Sequence, residues 1–364
     1  MPLAGSGPVD VGPMRYVEDL DGARVLVDPV DDPERTPASD VPSGELMAQE
    51  LADSAESAGR LSGAILRDAP RVEVHLVDGT YELFRHFFAV PSHLKDDGTE
   101  VGATRATVGS VLRMLEEGAS HLAVATDHVI ESFRNDLWAT YKDGSGVDPA
   151  LSSQFVLLEE VLGAAGVAVA AMVEHEADDA LAALAAMAAG DDRVERVLIC
   201  TPDKDLAQCV GGKVVQVDRR RDTVIDAAGV EDKYGVAPES IPDWLGLVGD
   251  SADGFPGVPG WGAKSAATVL RSFGHIDAIP ADPTTWHVKV RAAGTLAASL
   301  DEHRAEALLF RRLATLELDA PVATSVDELR WTGPRSDLAE VCERIDAPGL
   351  AARVSALSDA LADG

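Results

Sequence analysis

Four carboxylates fall within six consecutive residues of EHEADDALA, residues 174–182: Glu174, Glu176, Asp178 and Asp179. Two unit charges about 4 Å apart repel by roughly 4 kcal/mol at an effective dielectric of 20. A folded cluster of this kind needs protons, basic partners or bound cations. The chain as a whole carries a formal net charge of -31, so its composition does nothing to offset the local repulsion.

Other acids stand at chemically similar places. Asp78 closes the apolar run RVEVHLVD, Asp127 closes SHLAVATD, and Asp203 and Asp205 follow VERVLIC in TPDKD. Asp250 and Asp253, three apart, would share one face of a helix and reach the same rim. Carboxylate oxygens are hard donors, which suit Mg²⁺ or Mn²⁺ better than zinc. Two such ions about 4 Å apart activate a water and stabilise the leaving oxygen of a phosphodiester. On an ideal helix, at about 100° per residue, Glu176 and Asp179 share a face while Asp178 points away from both. Either two ions or one ligand acting through water would then be needed.

Positioning these acids requires a scaffold, and the flanking sequence supplies one. Apolar runs at 71–78, 120–127, 167–172 and 194–203 alternate with helical patterns at 79–89, 103–118, 151–166 and 175–190. Buried strands separated by amphipathic helices imply a parallel sheet covered on both faces. In open α/β sheets ligands gather beyond the carboxyl ends of strands, where these acids fall. A hairpin is expected over KVVQVD…DTVID, after which strand signals stop. The expected fold class is therefore α/β, a mostly parallel sheet flanked by helices over 71–235, followed by a helical region over 236–364. Residues 1–70, with five arginines against fourteen carboxylates, read as a disordered acidic extension holding at most a weak helix at 45–66.

A second motif lies in the helical part. In GDSADGFPGVPGWGAKSAATVL, residues 249–270, Gly257, Gly260 and Gly262 allow a tight turn and close backbone approach. The N–H groups opening the next helix can then meet a phosphate, with Lys264 adding charge. That is the pattern of a helix–hairpin–helix loop, which grips a nucleic-acid backbone without reading its bases. Arg85, Arg134 and Lys142 are the basic residues nearest the acidic rim in sequence. The segment IESFRNDLWATYKDGSG, which holds the last two, reads as a mobile cover.

Composition excludes several classes. No apolar run approaches the ~20 residues of a membrane span, and the stretch MPLAGSGPVDVGPM lacks the basic and apolar regions expected of a signal peptide. Cys200, Cys209 and Cys342 are too few and scattered for a disulfide framework or a zinc site. A soluble, reduced, cytoplasmic protein is expected. The pI near 4.5 argues against a nonspecific polyanion binder, although metals can recruit phosphate to an acidic pocket.

With these residues assembled, the chain resembles the 5′-nuclease superfamily, which includes the 5′-3′ exonuclease domain of bacterial DNA polymerase I and the flap endonucleases. VDGT, Asp127, SFR followed by YK, EADD, TPDKDL and GDSADGFPGVPGWGAKSA match in the family's order over about residues 72–280. The resemblance implies a PIN-like α/β core, a helix-three-turn-helix element at about 240–280, and Mg²⁺-dependent hydrolysis of DNA at 5′ ends, flaps or nicked duplexes. It makes Asp78, Asp127, Glu176, Asp178 and Asp179 ligands of a first ion or their supports. Asp203, Asp205, Asp250 and Asp253 would extend the site to a second ion. Lys142 and Arg134 would position the scissile phosphate, Arg85 would stand beside it, and the glycine loop with Lys264 would hold the duplex. Roles in DNA replication and repair follow from the same resemblance.

The chain departs from the family where charge grips substrate. YKDGSGVDP lacks the second basic residue of the family's YKxxR, and GVPGWG lacks the lysine of its GVKGIG. Two other readings fit the residues: an RNA-cleaving enzyme of the same core, and a noncatalytic DNA-binding scaffold.

Overall fold

The computed structural model describes residues 71–363 and, ahead of them, two short strands. These strands, β1 (Arg15–Glu18) and β2 (Arg24–Val27), pair antiparallel, with Tyr16 opposite Leu26. The rest of the acidic extension expected at 1–70, with the weak helix at 45–66, lies outside the described residues.

Residues 71–363 fold around a six-stranded sheet in the order β5-β4-β3-β6-β7-β8. Its members are β3 (Val72–Asp78), β4 (His121–Asp127), β5 (Ala168–Met172), β6 (Val194–Cys200), β7 (Val214–Asp218) and β8 (Thr223–Ile225). All neighbours are parallel except β7 and β8, which form the expected hairpin. The central strands are apolar nearly throughout because both faces are covered; every residue of β4 is buried. One face packs on the helices Gly102–Glu116 and Gln154–Ala164, the other on the alanine-rich helix Ala177–Ala189. Small side chains on that last helix let it lie close to the sheet.

Beyond 235 the chain is helical. Ile241–Val248 and Ala263–Phe273, joined by the glycine loop, pack with Ala293–Glu302 and Arg304–Ala314 around a separate core holding Trp244, Phe255, Trp261 and Phe310. The final stretch returns to the sheet layer. Trp331 donates from its backbone N to Ser120 O (2.9 Å) and from Nε1 to Ala165 O (2.8 Å), and Leu338, Val341, Cys342 and Val354 complete the core there. All three cysteines are free thiols. No described helix is long and apolar enough to cross a membrane.

Candidate metal centre

The sheet order fixes where a ligand should sit. The chain leaves β3 towards β4 and β5 on one side, and leaves β6 towards β7 and β8 on the other. The crevice beyond the carboxyl ends of β3 and β6 is therefore the topological switch point. Asp78 ends β3 there and caps the helix Gly79–Ala89, accepting from Tyr81 N (2.8 Å). Its other oxygen accepts from Thr201 Oγ1 (3.0 Å), just past β6. Burial, with Asp203 and Asp127 nearby, pushes the Asp78 carboxyl up to about 7. Asp127 ends β4 and accepts from Ala177 N (2.8 Å), linking it to the start of the helix Ala177–Ala189. Burial raises its pKa against the pull of Lys142.

The EADD stretch divides its labour between two directions. Glu176 stands before the first turn and Asp179 inside it, on one face as the helical repeat requires. Asp179 is 0% exposed, and each of its oxygens accepts two hydrogen bonds. Oδ1 takes Arg134 Nη2 (2.7 Å) and Glu317 N (2.8 Å); Oδ2 takes Arg134 Nη1 (2.7 Å) and Glu176 N (3.0 Å). A carboxylate with about four acceptor positions is thereby filled, leaving none for an ion. Asp178, pointing the other way, faces the basin: burial, then Asp203 and Asp78, raise its pKa well above the usual carboxylate range. Burial alone would raise Glu176, but Lys142 and Arg134 beside it hold it down at about 2. Ser132 Oγ (2.6 Å), Tyr141 OH (3.2 Å) and Lys142 Nζ (2.9 Å) all reach its oxygens.

Arg134 therefore does not face a phosphate, as the sequence led us to expect. It is 1% exposed, and its guanidinium makes four hydrogen bonds and one further ion pair. Besides the fork on Asp179, Nε donates to Leu313 O (2.7 Å), Nη2 to Thr315 O (3.0 Å), and Nη1 lies 3.3 Å from Glu176 Oε1. The surrounding segment is packed down instead of standing as a free cover. Trp138 lies edge-on to Phe310 (5.0 Å) and donates from Nε1 to Gly254 O (3.1 Å), as does Thr140 Oγ1 (2.9 Å). Gly254, at φ 81, comes so close that a Cβ would lie 1.9 Å from Thr140 O.

The second cluster is tighter. One oxygen each from Asp205, Asp250 and Asp253 lie within 4.8 Å of one another. Asp250 and Asp253 meet through a turn, not a helix face: Gly249 (φ 88) ends Ile241–Val248, and Asp250 and Phe255 exchange backbone hydrogen bonds of 2.8 and 3.0 Å across it. That crossing is why Gly257 is needed, since a Cβ there would fall 2.4 Å from Gly249 N. Burial and then Asp203, Asp250 and Asp253 push Asp205 well above its ordinary value. Asp253 rises to about 7 through burial, with Lys142 opposing and Asp250 reinforcing. Two lysines hold the cluster together: Lys204 Nζ is 3.0 Å from Asp250 Oδ2, and Lys142 Nζ is 3.5 Å from Asp253 Oδ1. Asp203, exposed at the mouth, accepts from Asp205 N (3.0 Å) and stands between the two groups of acids.

These residues fit divalent cations on a physical criterion. Asp205 is 6% exposed, and its buried Oδ1 has no hydrogen-bond partner among the described residues. An unpaired buried charge costs several kcal/mol, so this oxygen calls for a cation or a proton. The all-oxygen donor set selects hard ions. Seven of the nine expected carboxylates face this basin or its edge: Asp78, Asp127, Asp178, Asp203, Asp205, Asp250 and Asp253. Glu176 is tied to Lys142 and Arg134, and Asp179 is turned to the interior.

The remaining expected residues lie elsewhere. Arg85 is held by Glu82 and His86, not by an open site, and its Nε lacks a partner among the described residues. Gly260 (φ 83) and Gly262 border open space, where an added Cβ would meet nothing within 4 Å, and Lys264 is exposed beside them. Sequence reasoning assigned no role to Ser132, Tyr141, Thr201 and Lys204, although each lies inside a motif it had singled out: SFR, YK and TPDKDL.

Comparison with known proteins places this geometry. The model of the 5′-3′ exonuclease N-terminal resolvase-like domain matches residues 73–235, and that of the 5′-3′ exonuclease C-terminal SAM fold matches residues 236–337. The chain belongs to the 5′-3′ exonuclease family. Relatives in that family include the 5′-3′ exonuclease of Buchnera aphidicola, 30% identical over 268 residues, which are 71% of this chain and 86% of that one. The 5′-3′ exonuclease of Aquifex aeolicus is 33% identical over 212 residues, 57% of this chain and 71% of that one. DNA polymerase I of Bacillus caldotenax is 35% identical over 264 residues, which span 71% of this chain and 29% of the polymerase. Among solved structures, a T5 5′-exonuclease with bound zinc superposes at a TM-score of 0.52 and 19% identity, covering 79% of this chain and 98% of that one. The catalytic core of Rad2 with DNA substrate gives 0.52 at 14% identity, covering 84% and 97%. These likenesses establish the shared fold of this exonuclease-family chain: a mostly parallel sheet flanked by helices, with a helical C-terminal part.

Proposed function

We propose that this chain hydrolyses DNA phosphodiesters as a divalent-metal-dependent 5′-3′ exonuclease, with flap-endonuclease activity at branched or nicked duplexes. The observation that carries the reading is the buried Oδ1 of Asp205, which has no hydrogen-bond partner among the described residues and lies among carboxylates within 4.8 Å. Asp205, Asp250 and Asp253 would hold one Mg²⁺ or Mn²⁺ ion, and Asp78, Asp178 and Asp203 a second, with Asp127 supporting the rim. When bound, such ions activate water for attack and stabilise the leaving oxygen, giving a 3′-hydroxyl and a 5′-phosphate.

The chain's own side chains supply the rest. Lys142 is 26% exposed at the mouth, bridging Glu176 and Asp253, and is the cation placed to meet a scissile phosphate. Its neighbours keep it protonated: burial would lower its pKa, but Asp253 and Glu176 raise it well above the ordinary value. Arg134 and Asp179 hold the rim in place without touching substrate. The glycine loop with Lys264 would hold duplex away from the cut. Free, buried Cys200 and Cys342 agree with a reducing, cytoplasmic setting.

Purified protein incubated with Mg²⁺ and 5′-labelled flap or nicked duplexes tests the proposal. Cleavage that disappears in Asp205→Asn is expected. Equal product from wild type and variant, or none from either, would sink it.

A further inference from the structure

The helical part carries a charged feature apart from the carboxylate basin. Residues 286–291 alternate between core and solvent. Trp286 is 5% exposed, and Val288 and Val290 pack partly against the helical core, while His287, Lys289 and Arg291 are exposed. The alternation turns the polar side chains outward together. Neither Lys289 nor Arg291 makes a side-chain ion pair or hydrogen bond with a described residue, and nor does exposed Lys264.

Several cations elsewhere on the surface are matched, although exposed Arg113 and Arg330 make no ion pair with a described residue. Arg71 pairs with Glu195, Arg193 with Asp191 and Asp327, and Arg353 with Glu116. In a chain with 31 basic and 62 acidic residues, a merely solubilising ridge would follow the rest and carry acids.

Packing joins the ridge to the glycine loop. Trp261, within the loop, has its ring centre 6.1 Å from that of Trp286, and its Nε1 donates to Leu296 O (3.1 Å). Ser299 Oγ donates to Pro259 O (2.7 Å). One rigid unit thus presents Lys264, the open edge at Gly260 and Gly262, and the outward cations of 287–291.

We infer that Lys289 and Arg291, with His287 beside them, form a second phosphate grip that holds duplex DNA on the helical side, next to the glycine loop. The inference rests on the nuclease reading for its choice of ligand. A grip of this kind adds affinity and orientation with no base preference. It also restores, far from the cut, charge that the segment after Lys142 lacks.

Binding of the full chain to a fluorescently labelled duplex with a 5′ flap, measured in Ca²⁺ over a range of salt, tests the grip. Each phosphate contact contributes about -0.9 to the slope of log K against log salt. Lys289→Gln/Arg291→Gln is therefore expected to flatten the slope by about 2 and to weaken binding roughly 10-fold at moderate salt. Both side chains are exposed, so the melting temperature stays at the wild-type value; each single variant, expected to flatten the slope by about 1, repeats the test. Arg353→Gln, taken from its partner Glu116, should leave slope and affinity unchanged. A double variant that binds like wild type, or loses no more than Arg353→Gln does, overturns the grip; so does a wild type that binds no duplex. Failure of the nuclease reading looks different: the flap is bound, the variants shift the slope, and Mg²⁺ brings no cleavage.

Discussion

Replacing Asp205 by asparagine keeps the shape of a buried side chain and deletes its charge. Its oxygen lies within 4.8 Å of oxygens on Asp250 and Asp253, so each fully charged pair repels by roughly 3.5 kcal/mol at an effective dielectric of 20. Lys204 and Lys142 offset part of this, and the raised pKa values of Asp205 and Asp253 show that protons relieve more. A net relief of about 1–3 kcal/mol is left for the metal-free protein at pH 8. The Oδ1 atom has no hydrogen bond to lose among the described residues. At about 2 °C per kcal/mol for a unit of this size, Asp205→Asn should melt roughly 2–6 °C above wild type in EDTA. Mg²⁺ at ten times its Kd adds about 1.4 kcal/mol to wild type and much less to the variant. Differential scanning fluorimetry with and without Mg²⁺ reads both effects. A variant that melts below wild type in EDTA, or gains as much from Mg²⁺, would refute the repulsion argument.

Removing one partner of the buried fork is expected to do the opposite. Arg134→Met strands Asp179 at 0% exposure and should cost about 3–5 kcal/mol, read as a lower denaturant midpoint; a loss under 1 kcal/mol would contradict the clamp. Lys142→Met, at the mouth, should lower kcat by about 10²–10³ with flap binding in Ca²⁺ retained, and an unchanged kcat would remove it from the mechanism. His86, buried against Arg85, is depressed to about 4 from its ordinary 6.5. The unfolded chain then binds the extra proton, so this contribution is complete above pH 6.5 and is lost as pH falls towards 4, by at most about 3 kcal/mol. His86→Gln should narrow the stability gap to wild type over that window, and a constant gap would exclude the effect.

The parts of the fold that depend on local pattern could be read from the chain alone. Asp78 and Asp127 close runs whose apolar continuity marks buried parallel strands, and the turn of helix at EADD separates Asp178 from Glu176 and Asp179 by geometry alone. What escaped was long-range pairing. Arg134 meets Asp179 across 45 residues and takes carbonyls at 313 and 315, and no periodicity announces such contacts. The family pattern put Arg134 beside the scissile phosphate and made Asp179 a ligand of a first ion or its support, whereas at 1% and 0% exposure the two side chains are turned to each other in a buried fork. Asp250 and Asp253 converge as expected, but through a turn closed by Gly249 and Gly257 instead of a helix face. Gly257 accordingly serves the metal rim from behind, while Gly260 and Gly262 border open space.

Crystals of the wild-type chain soaked in Mn²⁺, with anomalous scattering recorded at the manganese edge, test the central claim most directly. The account predicts one peak among the oxygens of Asp205, Asp250 and Asp253 and a second beside Asp78, Asp178 and Asp203, with the Arg134–Asp179 fork undisturbed. Manganese bound to Asp179, or no peak among Asp205, Asp250 and Asp253, would contradict it.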